Sequence, residues 1–271
     1  MELDFQKMQG AGNDFIMINN LSGDCFLREA QIAALCDRHF GIGADGLMLL
    51  ERDPQGEFDA RMVYYNADGS RAEMCGNGAR CFTAFALQHG LGDGEKLRIL
   101  SDAGPLTATC SGELYTIELT PPRELRTPIA LDLKDGPAEV HHLDTGVPHV
   151  VRFVDDVQAV DIRPAGAELR FHEAFKPRGA NANFAQIQGP DQPILLRTYE
   201  RGVEDETLAC GTGVTATAIL AHLVHGVPKP VSVKVAGGDV LRVDFTRQGE
   251  HLLGVTLTGP ARTVFTGTIA L

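Results

Sequence analysis

A short pattern, Cys-Gly-x-Gly, occurs once in each half of the chain, and each copy precedes a segment rich in small and apolar residues. The first copy is Cys75-Gly76-Asn77-Gly78 and the second is Cys210-Gly211-Thr212-Gly213. Each copy also follows a predicted strand that ends in tyrosine and a polar residue, Tyr65-Asn66 and Tyr199-Glu200. A segment that is apolar on all sides is typical of a buried helix. The pattern therefore predicts an internal duplication, with one buried helix in each half.

The rest of the chain is strand-rich, because most segments alternate apolar and polar residues. A predicted hairpin opens the chain, and Thr120-Pro121-Pro122-Arg123 interrupts the pattern as a candidate domain boundary. Arg262–Leu271 is predicted to be a final strand. Helical spacing predicts four helices, at Glu29–Arg38, Ala79–His89, Ala165–His172 and Val214–His225. These elements predict an α/β chain of the α+β type.

Composition excludes several classes of function. The 271 residues include 24 Lys+Arg and 36 Asp+Glu, for a net charge of −12, which argues against binding to nucleic acid or to an anionic membrane. No leader pattern and no apolar run of about 18 residues is found, so a cytoplasmic protein is expected. Cysteines stay reduced in that compartment, and the six cysteines are not interpreted as a disulfide framework.

One copy of the motif places a sulfur beside free backbone N–H groups. The helix N-terminus carries partial positive charge, which favours thiolate over thiol and lowers the pKa of a cysteine there. The glycines allow an anion such as a carboxylate to approach the N–H groups closely. A single copy has an equally simple interpretation, in which cysteine is a small apolar residue packed at a helix start.

Two copies favour a catalytic interpretation. Inversion of a carbon centre needs a base on one face and an acid on the other, and a thiolate and a thiol supply them. Like charges close together disfavour double ionisation, so two sulfurs tend to hold opposite protonation states. A carboxylate held by the helix starts would take up the carbanion charge. Cys25, Cys36, Cys81 and Cys110 are interpreted as structural.

At these residues the chain resembles the diaminopimelate epimerase family, whose enzymes work without pyridoxal phosphate. The matching segments lie in order along most of the chain: Gly10-Ala11-Gly12-Asn13-Asp14-Phe15, Tyr65-Asn66-Ala67-Asp68-Gly69-Ser70, Met74-Cys75-Gly76-Asn77-Gly78-Ala79-Arg80-Cys81, Tyr199-Glu200-Arg201-Gly202 and Ala209-Cys210-Gly211-Thr212-Gly213. The resemblance implies two similar domains related by a pseudo-twofold axis, each a curved, mostly antiparallel sheet around a central helix. The domains would be residues 1–119 with 262–271, and residues 120–261.

The resemblance also implies an activity. The chain would be an isomerase of lysine biosynthesis that interconverts LL-2,6-diaminopimelate and meso-diaminopimelate by two-base proton transfer. It would use no cofactor and no metal, bind a small amino-acid substrate, and form a homodimer.

Site residues follow from the resemblance position by position. Cys75 and Cys210 would be the acid/base pair, and Gly76, Asn77, Gly211 and Thr212 would hold the carboxylate at the reacting centre. Asn13, Asn66, Asn181 and Arg201 would bind the distal end of the substrate. Glu200 and His149 would tune the protonation of the sulfurs, with Glu200 also near the substrate. Val147 departs from the family, in which an asparagine often precedes the Pro-His pair.

Other functions explain less of the sequence. A proline racemase or hydroxyproline epimerase shares the paired cysteines but resembles the opening block less. A cysteine hydrolase or thiol oxidoreductase would account for one motif copy, and a non-catalytic binding protein would account for neither cysteine.

One segment fits the dinucleotide-binding fingerprint, Gly41-Ile42-Gly43-Ala44-Asp45-Gly46. It follows a predicted helix and precedes a predicted strand, whereas a dinucleotide site needs a strand first and a helix after the loop. The sequence contains neither Cys-x-x-Cys nor His-Glu-x-x-His, the ligand spacings typical of zinc sites.

Overall fold

The computed structural model describes residues 2–271, and the chain divides into two compact units. Unit 1 comprises Met1–Glu118 and Thr258–Leu271, and unit 2 comprises Leu119–Leu257. Within residues 2–271, most strand pairs are antiparallel, and four α-helices and one short 3₁₀-helix (Glu173–Phe175) accompany them, so the fold is of the mixed α+β class.

Eleven of the elements belong to unit 1, ten of them in its first segment. These ten are β1 (Glu2–Gly10), β2 (Asn13–Asn19), α1 (Glu29–Cys36), β3 (Gly46–Glu51), β4 (Ala60–Asn66), β5 (Arg71–Ala72), α2 (Gly76–Gln88), β6 (Lys96–Ser101), β7 (Gly104–Ser111) and β8 (Leu114–Glu118). Unit 2 then carries β9 (Arg123–Leu133), β10 (Gly136–Asp144), β11 (Pro148–Phe153), α3 (Ile162–Arg170), β12 (Asn181–Gln186), β13 (Ile194–Glu200), β14 (Asp205–Thr207), α4 (Gly211–His225), β15 (Val231–Lys234) and β16 (Val240–Gln248). β17 (His251–Pro260) leads back to unit 1, where β18 (Arg262–Ala270) pairs with β1.

The order of strand pairings in unit 1 sets the position of its central helix. β1 and β2 form the predicted antiparallel hairpin, with Gly10 opposite Asn13. β2 then pairs in parallel with β3 after a crossover through α1, and β3 pairs antiparallel with β4. β4 pairs in parallel with β6 after a crossover through α2. The cysteine motif therefore lies in the connection between two parallel strands.

Unit 2 repeats this order of connections. β10 and β11 are antiparallel, and β11 pairs in parallel with β12 after a crossover through α3. β12 and β13 are antiparallel, and β13 pairs in parallel with β15 after a crossover through α4. The second cysteine motif occupies the same place in this order, so the topology repeats along with the sequence motif.

Both central helices are buried over most of their length. Residues Asn77–Ala86 of α2 and Gly213–Ala221 of α4 are all buried, as the apolar composition predicts. Each helix begins three residues earlier than the sequence predicts, because packing outweighs the low helix propensity of glycine. Each cysteine is therefore the N-cap residue of its helix. Over residues 2–271, no helix has the length and apolar character needed to span a membrane.

Two elements of unit 2 differ from the sequence expectation. β9 was not predicted, because most of its side chains are exposed and Pro128 interrupts its pattern. The structure accommodates Pro128 at an irregularity in the pairing with β10, between the pairs Ile129–Val140 and Arg126–His142. α3 begins at Ile162, three residues before the predicted start, and ends at Arg170.

Candidate active site

Cys75 lies half-buried at the start of α2, where its sulfur meets the helix backbone. Its Sγ accepts a hydrogen bond from the Gly78 N–H at 3.4 Å. Gly78 has no room for a side chain, since an added Cβ would lie 2.1 Å from Met48 Cε and 3.2 Å from Phe15 Cζ. Gly78 therefore packs against apolar side chains while its N–H meets the sulfur. A backbone N–H aimed at sulfur stabilises the thiolate form.

Asn13 and Asn77 belong to a hydrogen-bonded series whose direction its two ends determine. Arg80 Nη2 donates to Asn77 Oδ1 at 3.0 Å, and Asn77 Nδ2 donates to Asn13 Oδ1. Asn13 Nδ2 donates in turn to Asp45 Oδ2 at 3.0 Å. A guanidinium can only donate and a carboxylate can only accept, so both amides have one orientation.

The loop that carries Asp45 is held by a cluster of charges. Asp45 and Asp14 both accept hydrogen bonds from Arg38, and Asp14 also pairs with the buried Lys7 at 2.9 Å. Burial alone would raise the pKa of Asp14, but the hydrogen bonds and charges of Arg38 and Lys7 lower it to about 2. The loop follows α1 and precedes β3, which is the context that excludes a dinucleotide site.

Asn66 ends β4 in a tight turn on the surface of unit 1. Its Nδ2 donates to Ser70 Oγ at 3.0 Å, and its backbone carbonyl accepts from the Gly69 N–H. Gly69 has a positive φ of 87°, which any other residue adopts with strain. The turn therefore determines where the exposed Asn66 amide lies.

We expect Gly69→Ala to lower the free energy of unfolding by about 2–5 kcal/mol, from the left-handed backbone and from overpacking. An added Cβ at Gly69 would lie 2.2 Å from the Glu29 backbone oxygen. Gly56→Ala is the matched control, since Gly56 also has a positive φ of 72° but nothing lies within 4 Å of an added Cβ. Urea unfolding of both variants checks this. Equal losses would show that the contact with Glu29 contributes nothing.

Cys210 occupies the equivalent helix start in unit 2, with a different set of partners. Its Sγ lies 3.4 Å from the Thr212 hydroxyl, and that hydroxyl lies 2.9 Å from His149 Nε2. The Thr212 carbonyl accepts a hydrogen bond from the Thr145 hydroxyl at 2.9 Å. The structure thus brings three predicted site residues, Cys210, Thr212 and His149, into one hydrogen-bonded group.

His149 is fully buried, and its protonation follows from that burial. Desolvation, together with the nearby charges of His142 and Arg201, lowers the pKa of His149 to about 3. The imidazole is therefore neutral at neutral pH, and it acts as a hydrogen-bonding group.

Asn181, the first residue of β12, contacts Arg201, which follows the last residue of β13. Asn181 Oδ1 accepts the Arg201 backbone N–H at 2.8 Å, and Asn181 Nδ2 donates to the Pro148 carbonyl at 3.1 Å. The Arg201 guanidinium donates to the Arg178 carbonyl at 3.4 Å. Asn181 thereby fixes the backbone that carries Arg201.

Glu200 precedes Arg201 and lies half-buried at the end of β13. Its Oε2 accepts a hydrogen bond from the Thr207 hydroxyl at 2.8 Å. Thr207 ends β14, shortly before the Cys210 motif. The structure thus ties Glu200 to the segment leading into the helix start.

Burial disfavours the thiolate form of two of the other cysteines. Burial raises the pKa of Cys36 to about 11 and that of Cys81 to about 12. The Cys110 Sγ donates to the Gly112 carbonyl at 3.3 Å. The raised pKa values of Cys36 and Cys81 and the hydrogen bond of Cys110 agree with a structural role for these three cysteines.

Sequence reasoning missed four residues that contact the candidate site: Asp14, Arg38, Asp45 and Asn183. Arg38 gave no signal, because its partners Asp14 and Asp45 lie in loop and strand positions that only the fold brings to it. Asn183 gave a sequence signal that could have been used: Asn181 and Asn183 alternate with the apolar residues Ala182 and Phe184, so both asparagines lie on one face of β12.

A cavity of about 800 Å³ in unit 2 borders the candidate site only through Thr207, the hydrogen-bond partner of Glu200. Its wall includes Arg163 and Arg197, which bind Asp205 and Glu206, respectively, through two hydrogen bonds each. None of the predicted site residues lines it.

Comparison with known proteins gives consistent matches along the chain. The family model described as Diaminopimelate epimerase matches residues 5–123 and 142–264. The chain is 42% identical to the diaminopimelate epimerase of Aquifex aeolicus, covering 99% of this chain and 98% of that protein. It is also 42% identical to the diaminopimelate epimerase of Chlorobaculum tepidum, covering 97% of this chain and all of that protein.

Solved structures share the fold at low sequence identity. A hydroxyproline epimerase from Agrobacterium vitis matches with a TM-score of 0.70 at 17% identity, covering 100% of this chain and 93% of that chain. A PhzF-family phenazine biosynthesis protein from Bacillus anthracis matches with a TM-score of 0.73 at 16% identity, covering both chains fully.

Proposed function

The chain belongs to the diaminopimelate epimerase family, and on that premise we propose that it interconverts LL-2,6-diaminopimelate and meso-diaminopimelate in lysine biosynthesis. It is an isomerase, which inverts one α-carbon and leaves the other unchanged. One observation carries the proposal most directly: each unit begins its buried central helix with a cysteine whose sulfur meets a hydrogen-bonding group.

The chemistry assigned to the two cysteines is proton transfer on opposite faces of the α-carbon. One sulfur, as thiolate, removes the α-proton, and the other, as thiol, delivers a proton to the opposite face. In the reverse direction their roles exchange. After each turnover the first sulfur is a thiol and the second a thiolate. This is the protonation state that the reverse reaction needs, so the enzyme can bind the isomer it has just formed.

The α-carboxylate of the reacting centre would bind at the two helix starts. Gly76 and Asn77 in α2, and Gly211 and Thr212 in α4, have backbone N–H groups in the first helical turn, where they lack partners within the helix. Negative charge that develops on the carboxylate as the proton leaves is stabilised by these donors and by the helix dipoles.

Recognition of the distal end is assigned to Asn13, Asn66, Asn181 and Arg201. Arg201 suits a carboxylate because its planar guanidinium can donate two parallel hydrogen bonds. Asn181 supports this by holding the Arg201 backbone. His149 and Glu200 are assigned to tuning the Cys210 side of the site, with Glu200 also close to the substrate.

The test of the function is hydrogen exchange at the α-carbon. Incubation with LL-diaminopimelate in D₂O under reducing conditions should introduce deuterium and yield the meso isomer, followed by NMR and chiral chromatography. L-Proline and trans-4-hydroxy-L-proline, handled in parallel, should show no exchange. Exchange with either imino acid and none with diaminopimelate would instead favour a proline racemase or hydroxyproline epimerase.

We expect Asp45→Asn to lower kcat/KM for diaminopimelate about tenfold, the effect of losing one hydrogen bond to a charged group. The Asp45 carboxylate accepts from Asn13, the Asp14 backbone and Arg38, and an amide oxygen cannot hold all three. Asp59→Asn is the matched control, since Asp59 is a partly exposed aspartate of unit 1 that pairs with Arg98. Steady-state kinetics of both variants test this prediction. Equal kcat/KM values for Asp45→Asn and Asp59→Asn would exclude a role for Asp45.

We also propose that the protein is a homodimer. Two exposed apolar side chains of β18 support this, since Val264 is 56% exposed and Phe265 is 45% exposed. Light scattering should give twice the chain mass, and Val264→Asp should shift the mass toward one chain.

A cytoplasmic location fits the chemistry proposed for the two cysteines, because the thiol and the thiolate must both stay reduced. Cell fractionation with an antibody to the chain tests this location. We expect the antibody signal in the cytoplasmic fraction, and a signal confined to another fraction would contradict it.

A further inference from the structure

A series of buried hydrogen bonds runs from β13 through β12 and β11 to the start of α4. The Thr198 hydroxyl donates to Asn183 Oδ1 at 3.0 Å, and Asn183 Nδ2 faces His149 Nδ1 at 3.1 Å. His149 Nε2 and the Thr212 hydroxyl are 2.9 Å apart, and that hydroxyl lies 3.4 Å from Cys210 Sγ. Thr198, Asn183 and His149 are all buried, at 3% exposure or less.

The orientation of the Asn183 amide is fixed by groups that can only accept. Its Nδ2 lies 3.0 Å from the Val150 carbonyl and 3.3 Å from the Asn181 carbonyl. A carbonyl oxygen never donates, so the NH₂ group must be on that side. The same Nδ2 lies 3.1 Å from His149 Nδ1, and because an amide nitrogen cannot accept a hydrogen bond, that ring nitrogen must be the unprotonated one.

The position of each following proton is then determined. A neutral imidazole without a proton on Nδ1 carries it on Nε2, and that N–H donates to the Thr212 hydroxyl oxygen. The hydroxyl accepts there, so its own proton is directed to another acceptor. Cys210 Sγ is within hydrogen-bond distance of it.

Gly213 gives an independent observation for the same arrangement. An added Cβ would lie 2.5 Å from Asn183 Oδ1, 3.3 Å from His149 Cε1 and 3.4 Å from Cys210 Cβ. The second glycine of the motif therefore leaves space for the Asn183 amide and the His149 ring beside the cysteine. At the equivalent Gly78 the neighbours are Met48 and Phe15, both apolar. The polar wall is thus a feature of the unit 2 copy.

We infer that Asn183 is a positioning residue that sets the Nε2–H tautomer of His149 and thereby directs the Thr212 hydroxyl proton at Cys210 Sγ. A hydroxyl that donates to sulfur stabilises the thiolate over the thiol. The inference rests on the proposed function, in which Cys210 alternates between these two forms. His142 and Arg201 both disfavour a second proton on the His149 ring, and the titratable group linked to the ring through Thr212 is Cys210 itself.

The first test reads the tautomer in the unaltered protein. Long-range ¹H–¹⁵N NMR of imidazole-labelled protein at neutral pH should show His149 with its proton on Nε2 and with Nδ1 unprotonated; His149→Gln identifies the signal. A proton on Nδ1 would overturn the inference. This readout needs no variant at Asn183 to fold.

The second test measures the reactivity of Cys210 without any substrate. In a Cys75→Ser background, iodoacetamide alkylation of Cys210 is followed by peptide mass spectrometry across pH. Asn183→Asp offers Nδ1 an acceptor and so reverses the tautomer. We expect the pH of half-maximal alkylation to rise by about one unit, which is about tenfold slower alkylation below that pH. Thr212→Val should give the same shift, and Thr212→Ser should retain the original value.

The double variant separates the relay from the added charge. If Asn183→Asp acts through Thr212, it produces no further shift in the Thr212→Val background. A further shift of the same size would show a through-space effect of the carboxylate and overturn the inference. If the shift in alkylation occurs but the unaltered protein does not epimerise diaminopimelate, the proposed function is rejected; if the unaltered protein epimerises diaminopimelate but the shift is absent, only the relay is rejected.

Discussion

Replacement of either Cys75 or Cys210 with serine is expected to lower the rate of epimerisation about 10²–10⁴-fold, the range for loss of a positioned acid or base. Serine keeps the shape of the side chain, but its hydroxyl is too weak an acid to supply an alkoxide at neutral pH. The two variants should lose activity to a similar degree, because each turnover needs both sulfurs. Chiral chromatography of the two diaminopimelate isomers measures the loss.

Cys110→Ser is the matched control for these two variants. Cys110 is a partly exposed cysteine of unit 1 whose sulfur donates to a backbone carbonyl, which a serine hydroxyl also does. We expect its activity to stay within about twofold of the original, since surface substitutions rarely matter. If only one of Cys75 and Cys210 proved necessary, a single nucleophile would explain the enzyme better than an acid/base pair.

The second large effect is expected on stability in acid. Burial lowers the pKa of His141, His142 and His149, the last to about 3, from an ordinary value of 6.5. Below about pH 6.5 the unfolded chain therefore binds protons that the folded chain does not, and stability is lost as the pH falls. His149 contributes a slope of about 1.4 kcal/mol per pH unit between about pH 6.5 and pH 3, and the lowered pKa values of His141 and His142 add to the loss of stability in the same direction.

Urea unfolding at several pH values between 7.5 and 4.5 measures this slope. His149→Gln should reduce it by about 1.4 kcal/mol per pH unit, the share of one proton. His251→Gln, at an exposed histidine on β17, is the control. Asp14 lies outside this window, because its pKa of about 2 affects stability only below its ordinary value of 3.8. A slope that His149→Gln does not change would contradict the assignment of a neutral, buried imidazole.

The sequence was sufficient to predict those parts of the fold that depend on local pattern. The two buried helices, the opening hairpin and the last strand follow from apolar spacing and from turn residues, and the structure has all of them. β9 was missed because it is an exposed strand containing Pro128, and its pairing with β10 comes from tertiary context. The starts of α2 and α4 were predicted three residues too late for a related reason. Glycine has a low helix propensity, and tertiary packing around the two helices outweighs it.

The residues of the candidate site also fall into those that the sequence pattern identifies and those that only the fold reveals. Cys75 and Cys210 stand out because the motif repeats, and repetition is visible in a sequence. Asp45 does not stand out and Asn183 shows only its alternation with Asn181, because the contacts of both residues come from partners that the fold brings from other strands and loops. Asn183 matters through the direction of a proton, which depends on two carbonyl groups of the neighbouring backbone.

The measurement that tests the two-base account most directly is the location of deuterium in the first few per cent of reaction in D₂O. Starting from LL-diaminopimelate, the account predicts that the meso product carries solvent deuterium at the inverted α-carbon, while the recovered LL isomer retains its original hydrogen. The reaction from the meso isomer should show the same pattern in reverse. Equal early incorporation of deuterium into the recovered substrate and the product would mean that a single base serves both faces, and would contradict the account.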